Sequence, residues 1–414
     1  MLASATAAFA ATRAVNGALA LIGTAVPVAV AGAAQAGDYF ALWTATWICG
    51  VAARFGADAV LPRLVAEQPG VSGLALVRGR SALGAISAVL LAPAACAALG
   101  VLSSPWEVVL VAATALVWGR TFVIAGVLRA RMRVVAAGIA ANVVWSLAGV
   151  AGPLAAAIVF ADPSAAQLLG ALLAASLVAL GIVRAMLGWI PDGDDAAVAH
   201  RAPRPRGGDE LVGAAAVSTV YEIATWSPMI YAGLAGLSPT ATAAIFAATR
   251  LAGVASWGYQ AIVATTGPQI ARAFVARDAA TVQALVRRGG RLGLLVTLPL
   301  VVVGYVVAGP ATELLLGMSV AASADALRAL LIGRLVDAAT GPVSEAFVLG
   351  RRIWLDVGLF SASLLAGAIV VIATRPSVLG VAGIAAATSI TTNLVRAGLF
   401  GSLLIAPIAR RALT

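Results

Sequence analysis

Long apolar runs alternate with short polar ones along most of this chain, and each apolar run is about the length that crosses a bilayer, roughly 20 residues. The runs predict spans at 15–36, 39–65, 82–102, 108–128, 134–160 and 165–190. Gly37-Asp38 makes the turn between the first two, and Asp162-Pro163 divides the fifth from the sixth. The stretch 191–210, PDGDDAAVAHRAPRPRGGDE, is Pro-, Gly- and charge-rich and reads as an exposed linker. Six further spans follow, at 211–237, 240–267, 292–308, 324–349, 353–374 and 379–408. Between the eighth and ninth, 268–291 carries Ile270, Phe274, Val282, Leu285 and Val286, a pattern that suits a helix lying in the membrane interface.

The expected organisation is an N-terminal six-helix bundle (1–190), a cytoplasmic linker (191–210) and a C-terminal six-helix bundle (211–414). The halves carry related segments. LPRLVAEQPGVSGLALVRGRSALG (61–84) follows the second span, and GPQIARAFVARDAATVQALVRRGGRLG (267–293) follows the eighth. Six is an even number, so such a repeat would be parallel, about an axis along the membrane normal.

Composition settles the solvent. Of 414 residues, 62% are hydrophobic and 11% charged, against about 45–50% and about 25% in soluble domains. So little charge could not solvate the exterior of a water-soluble protein this size, which makes the chain all-α and integral to a membrane. The net charge is +10 and every basic residue is arginine. Arg63, Arg78, Arg80, Arg129, Arg131, Arg133, Arg201, Arg204, Arg206, Arg272, Arg277, Arg287, Arg288, Arg291, Arg351, Arg352, Arg410 and Arg411 fall on one side of the spans. That side is expected to be cytoplasmic, with both termini on it. Topology thus accounts for the basic charge, and a nucleic-acid partner is not expected. Cys49 and Cys96 sit apart in apolar runs, the single histidine is His200, and no metal spacing, cofactor motif or catalytic set is legible. An enzyme is not expected.

Charges inside spans are costly and face a partner or a water-filled path. The arginines are Arg54, Arg120, Arg184, Arg250, Arg334 and Arg396; the acids are Asp58, Glu222, Asp337 and Glu345. Arg184, near the end of its span, is expected to snorkel. Arg54 with Asp58, and Arg334 with Asp337, share helical faces and could pair locally. Arg120 and Arg250 lack an acid at that spacing; Glu222 and an anionic ligand are the alternatives for Arg250. Arginine suits phosphate because its planar fork donates paired hydrogen bonds and stays charged when desolvated. The cavity candidates are Arg54, Arg250, Arg120, Arg334 and Arg396, with Asn16, Asn142 and Tyr259 as neutral donors. Glu222, Asp58 and Asp337 are the candidates for ion coupling. Trp43, Trp47, Trp145 and Trp226 could stack on sugar rings or anchor at the interface.

FAATRLAGVASWGYQAIVATTGPQIARAF (246–274) with RDAATVQALVRRGGRLGLLVTLPL (277–300), and AGDYFALWTATWICGVAARFGADAVLPRLVAE (36–67), resemble polysaccharide flippases, the Wzx-like branch of the MOP superfamily. The resemblance implies two six-helix bundles in a V, a cationic central cavity and alternating access. It implies a polyprenyl-diphosphate-linked oligosaccharide as cargo and a bacterial cytoplasmic membrane as location, with glycan-assembly membrane proteins as partners. By matching position, Arg54 and Arg250 would line the cavity. The family often carries an acid late in its seventh span; here that region is TWSPMIY (225–231) and Glu222 lies about a turn earlier. The MATE-type exporters share the fold, so a cation-coupled drug or metabolite antiporter is the alternative reading.

Overall fold

The computed structural model describes residues 2–57, 73–101, 104–130, 133–188, 208–317, 321–350 and 352–406. Asp58, Arg63, and 191–207 of the expected linker lie outside them. The described residues are helical with short connections. In chain order they form α1 (Leu2–Arg54), α2 (Gly73–Ala98), α3 (Pro105–Ala130) and α4 (Val134–Gly138). A π-helical turn, Ile139–Val144, leads into α5 (Trp145–Val159), followed by α6 (Ala165–Gly188) and α7 (Gly208–Thr225). Then come α8 (Ser227–Ala235), α9 (Pro239–Ala255), α10 (Trp257–Val275), α11 (Ala279–Val306) and α12 (Ala308–Leu316). The last are α13 (Ala321–Thr340), α14 (Val343–Leu349), α15 (Ile353–Thr374) and α16 (Val378–Phe400), which closes in a second π turn, Gly401–Ile405.

Among the described residues, seven helices are long and apolar enough to cross a membrane. One of them, Ala11–Arg54, is 44 residues long, twice the usual span, and it contains the first expected span and residues 39–54 of the second. They part at Gly32 (φ 75, ψ 164), not at Gly37-Asp38. Only glycine enters that backbone region at no steric cost. Gly37 is buried in the continuing helix, where an added Cβ would run into the Pro239 carbonyl, so its smallness serves packing rather than turning.

The 268–291 stretch also departs from expectation. It is no separate interfacial helix: α10 runs on to Val275 and α11 starts at Ala279. Ile270, Val282 and Val286 are buried in a core with Phe347 and Phe400, with Phe274 and Leu285 packed against it. The apolar positions meet other helices and not lipid.

The chain divides into two compact units, Met1–Glu222 with Ser238–Ala243, and Ile223–Leu237 with Ala244–Thr414. The boundary therefore falls within α7, later than the expected start of the second bundle at 211. Gly56 (φ 66) shows why: an added Cβ there would stand 2.7 Å from the Ala215 nitrogen, so α7 packs on the end of α1.

Candidate functional site

In the first unit the candidate residues gather on α1. The α1 helix ends at Arg54, whose guanidinium carbon is 4.5 Å from the Phe122 ring centroid and 6.0 Å from that of Trp47. Trp47 stacks on Trp43 (5.5 Å, 7° between planes) and touches Trp145 at 4.8 Å. Its indole Nε1 donates to Glu222 Oε2 at 2.8 Å. Trp43, Trp118 and Trp145 are buried, and Trp118 donates to Ser176 Oγ. This packing corrects the reading of Trp43 and Trp145 as sugar platforms or interface anchors. The four indoles of Trp43, Trp47, Trp118 and Trp145 fill the space between α1, α3 and α5, and of these four Trp47 alone is not fully buried.

Further along α1, Ser146 Oγ donates to Asn16 Oδ1 at 2.5 Å, and Asn142 Nδ2 donates to Thr12 Oγ1 at 3.1 Å. Asn142 sits in the π turn and is buried. Both amides tie α1 to the α4–α5 segment, so Asn142 is a tether and not an open donor. Asn16 stays half-buried. Arg120, half-buried on α3, makes no ion pair among the described residues. Arg13 on α1 is an arginine that sequence reasoning did not count among the candidates. It is exposed, and it lies where the charges of Arg129 and Glu222 both act on it.

In the second unit, the Arg250 guanidinium carbon lies 4.9 Å from the Trp226 centroid and 5.0 Å from that of Phe246. Those two rings are stacked on each other at 5.5 Å. Arg54 and Arg250 thus share a mode of seating: each cation rests on aromatic faces within its own unit. A cation–π contact orients a guanidinium without cancelling its charge. Trp226 is buried, which removes it too from the stacking candidates.

A polar chain links α13, α14, α15 and α16. Arg334 Nη1 is 3.4 Å from Asp337 Oδ2, the local pair the spacing suggested. Asp337 Oδ1 also accepts from Ser389 Oγ at 2.7 Å and from Asn393 Nδ2. Asn393 Oδ1 accepts from Arg396 Nη1 at 3.3 Å, and Arg396 Nε lies 2.7 Å from Asp356 Oδ1. Ser344 Oγ donates to Asp356 Oδ2 at 3.0 Å, and Phe360 stacks under the Arg396 guanidinium at 4.4 Å. Arg396 is 1% exposed. Enclosed against a carboxylate and an aromatic ring, it cannot line a water-filled path, which corrects its place among the cavity candidates. Asp356 is the acid that sequence reasoning overlooked, although the expected span 353–374 contains it; it lies in the first turn of α15. Tyr259 is also committed, donating to the Gly341 carbonyl at 2.9 Å. Gly341 (φ 72) breaks α13 from α14. Arg334 and Asp337 remain half-buried.

Among the described residues no cluster of three or more His, Cys, Asp or Glu side chains could hold a metal. Asp58 lies outside the described residues, so its pairing with Arg54 is not seen. The geometry offers, in each unit, a guanidinium oriented on aromatic faces, Arg54 in the first and Arg250 in the second, and in the first unit the Glu222 carboxylate accepting from Trp47.

No protein-family model matches this sequence, and no curated relative matches it. Solved structures do match over nearly the whole chain. An inward-facing multidrug resistance MATE family transporter of the MOP superfamily superposes with a TM-score of 0.63 at 14% identity, covering 97% of this chain and 96% of that one. An outward-facing structure of such a transporter gives 0.67 at 14%, covering 98% and 96%. A mutant of the Vibrio cholerae MATE transporter VcmN gives 0.60 at 18%, again covering 98% and 96%. With its apolar helices, these likenesses make the chain a multi-pass membrane protein with the fold of the MATE transporters of the MOP superfamily.

Proposed function

We propose that this protein is a transporter that flips a polyprenyl-diphosphate-linked oligosaccharide across a bacterial cytoplasmic membrane by alternating access, with both termini in the cytoplasm. The observation that carries the reading is the matched seating of Arg54 and Arg250 on aromatic faces, one in each unit. Placing a charge within a span is costly, and such residues are kept for a polar path or a ligand. A guanidinium seated on an aromatic face keeps its charge and its planar fork of N–H donors, the features that suit an anion. In the second unit, Asp337 and Asp356 are already engaged by arginines of that unit. An anionic cargo fits oriented arginines in both units, because a guanidinium donates paired hydrogen bonds to a phosphate. Half-buried Arg120 in the first unit and Arg334 in the second are further candidates for contact with the cargo.

Binding tests this directly. The purified protein should hold a polyprenyl-diphosphate glycan more tightly than the matching neutral polyprenol. Arg250→Ala should lose about 1.5–3 kcal/mol of that affinity, the worth of a hydrogen bond to a charged group. Equal affinity for the two lipids would refute the reading. A MATE-like cation-coupled antiporter is the second reading, favoured by the fold of its multidrug-resistance neighbours and by the single carboxylate Glu222 beside Trp47. Ion-gradient-driven efflux of cationic dyes, abolished by Glu222→Gln, would decide for it.

A further inference from the structure

The early turns of α11 present a charged face that the transport reading does not use. Arg287, Arg288 and Arg291 are exposed there, while Val282, Val286, Gly289, Gly290 and Gly293 form the buried face behind them. Arg272, near the end of α10, and Arg277, in the connecting turn, are exposed as well. Among the described residues none of the five arginines is in an ion pair. The nearest acid in sequence, Asp278, is spent as the N-cap of α11, accepting from the Thr281 amide at 2.9 Å and from its hydroxyl at 2.5 Å. Three cations lie in the half of α11 nearer its amino end, where the helix dipole already points its positive end. Among the described residues no carboxylate pairs with them.

The same helix shows where the bilayer begins. At 100° per residue, Arg288, Leu292, Leu295, Val302 and Val306 lie along one face. Leu295 is 68% and Val306 72% exposed, an outward apolar face of the kind a membrane span turns to lipid. The face changes from arginine to leucine and valine at 291–292. That is the depth at which headgroups give way to acyl chains, and the guanidiniums stand just outside it, on the lipid side of the helix.

We infer that Arg287, Arg288 and Arg291, supported by Arg272 and Arg277, form a docking surface for the headgroups of anionic phospholipids. Charge complementarity picks the occupant: a row of solvent-facing guanidiniums level with the phosphates takes lipids of net negative charge in preference to zwitterionic ones. The surface anchors the α10–α11 hairpin to the leaflet whatever the cargo is, so its test stands apart from that of the cargo.

The test uses the full chain in neutral detergent, offered phosphatidylglycerol and phosphatidylcholine together, with retained lipids counted by native mass spectrometry. The protein should keep phosphatidylglycerol selectively. Each Arg→Gln replacement at 287, 288 or 291 should weaken that selectivity about fivefold, and the triple Arg→Lys variant should keep most of it because the charge stays. Inorganic phosphate at matched ionic strength should leave the lipid in place. Equal retention of the two lipids, unchanged selectivity in the glutamine variants, or displacement by phosphate as at a compact anion site would each overturn the inference. If the triple glutamine variant does not fold, the three single variants read the same quantity.

Discussion

Arg396 Nε lies 2.7 Å from Asp356 Oδ1, with both side chains 1% exposed, and the pair fastens α16 to α15 inside the second unit. Two buried opposite charges tolerate joint removal far better than the loss of one. Arg396→Ala or Asp356→Ala alone should cost about 3–5 kcal/mol, because the surviving charge is left enclosed. The double variant Arg396→Met/Asp356→Leu should recover most of that. Thermal unfolding in detergent checks it; single variants as stable as the parent would show that the pair is not a clamp.

Helix spacing in the first unit depends on a missing side chain. A Cβ on Gly152 would stand 2.7 Å from the Leu172 Cα, so α5 and α6 touch there backbone to side. Gly152→Val should force them apart at a cost of about 1–3 kcal/mol, the usual toll of overpacking. Gly170, with nothing within 4 Å of an added Cβ, supplies the control. Gly170→Val should fall well short of the Gly152 effect in the same melting experiment.

Asp278 gives a pH signature outside the spans. The Thr281 hydroxyl, then the Thr281 amide, hold its carboxyl below the ordinary carboxylate range. A depressed folded-state value means that the cap's contribution is present above the ordinary range and is lost as pH falls through the folded one. Hydrogen exchange at the start of α11 should therefore quicken on acidification through that window. Asp278→Asn, which keeps an acceptor but not the titration, should flatten the dependence. A parent protein with the same pH-independent protection would show that the cap is not formed.

Much of the fold was legible because lipid leaves few choices. Runs of about 20 apolar residues must be helices there, and the all-helical class follows from that. Breaks within runs were harder to read. Gly32 and Gly37 look alike in sequence, yet one turns the chain and the other lets Pro239 approach, a difference made by tertiary packing. The apolar side of 268–291 has the same periodicity whether it meets lipid or Phe347 and Phe400. Local charge pairing, as between Arg334 and Asp337, could be seen from spacing. The link from Arg396 to Asp356 joins positions 40 apart on different helices, and no pattern along one helix reveals it. Seating of Arg54 on Phe122 was hidden for the same reason, whereas Phe246 lies one turn before Arg250 on its own helix.

The central claim is the anionic cargo, and translocation tests it most directly. Proteoliposomes carrying the protein would be loaded with a fluorescent polyprenyl-diphosphate oligosaccharide, and its appearance in the opposite leaflet followed by a membrane-impermeant quencher. The account expects transfer by the parent protein and its loss in both Arg54→Ala and Arg250→Ala, with the folded state retained. Transfer that survives in both variants, or a parent protein that moves cationic dyes and leaves the diphosphate lipid where it was, would contradict it.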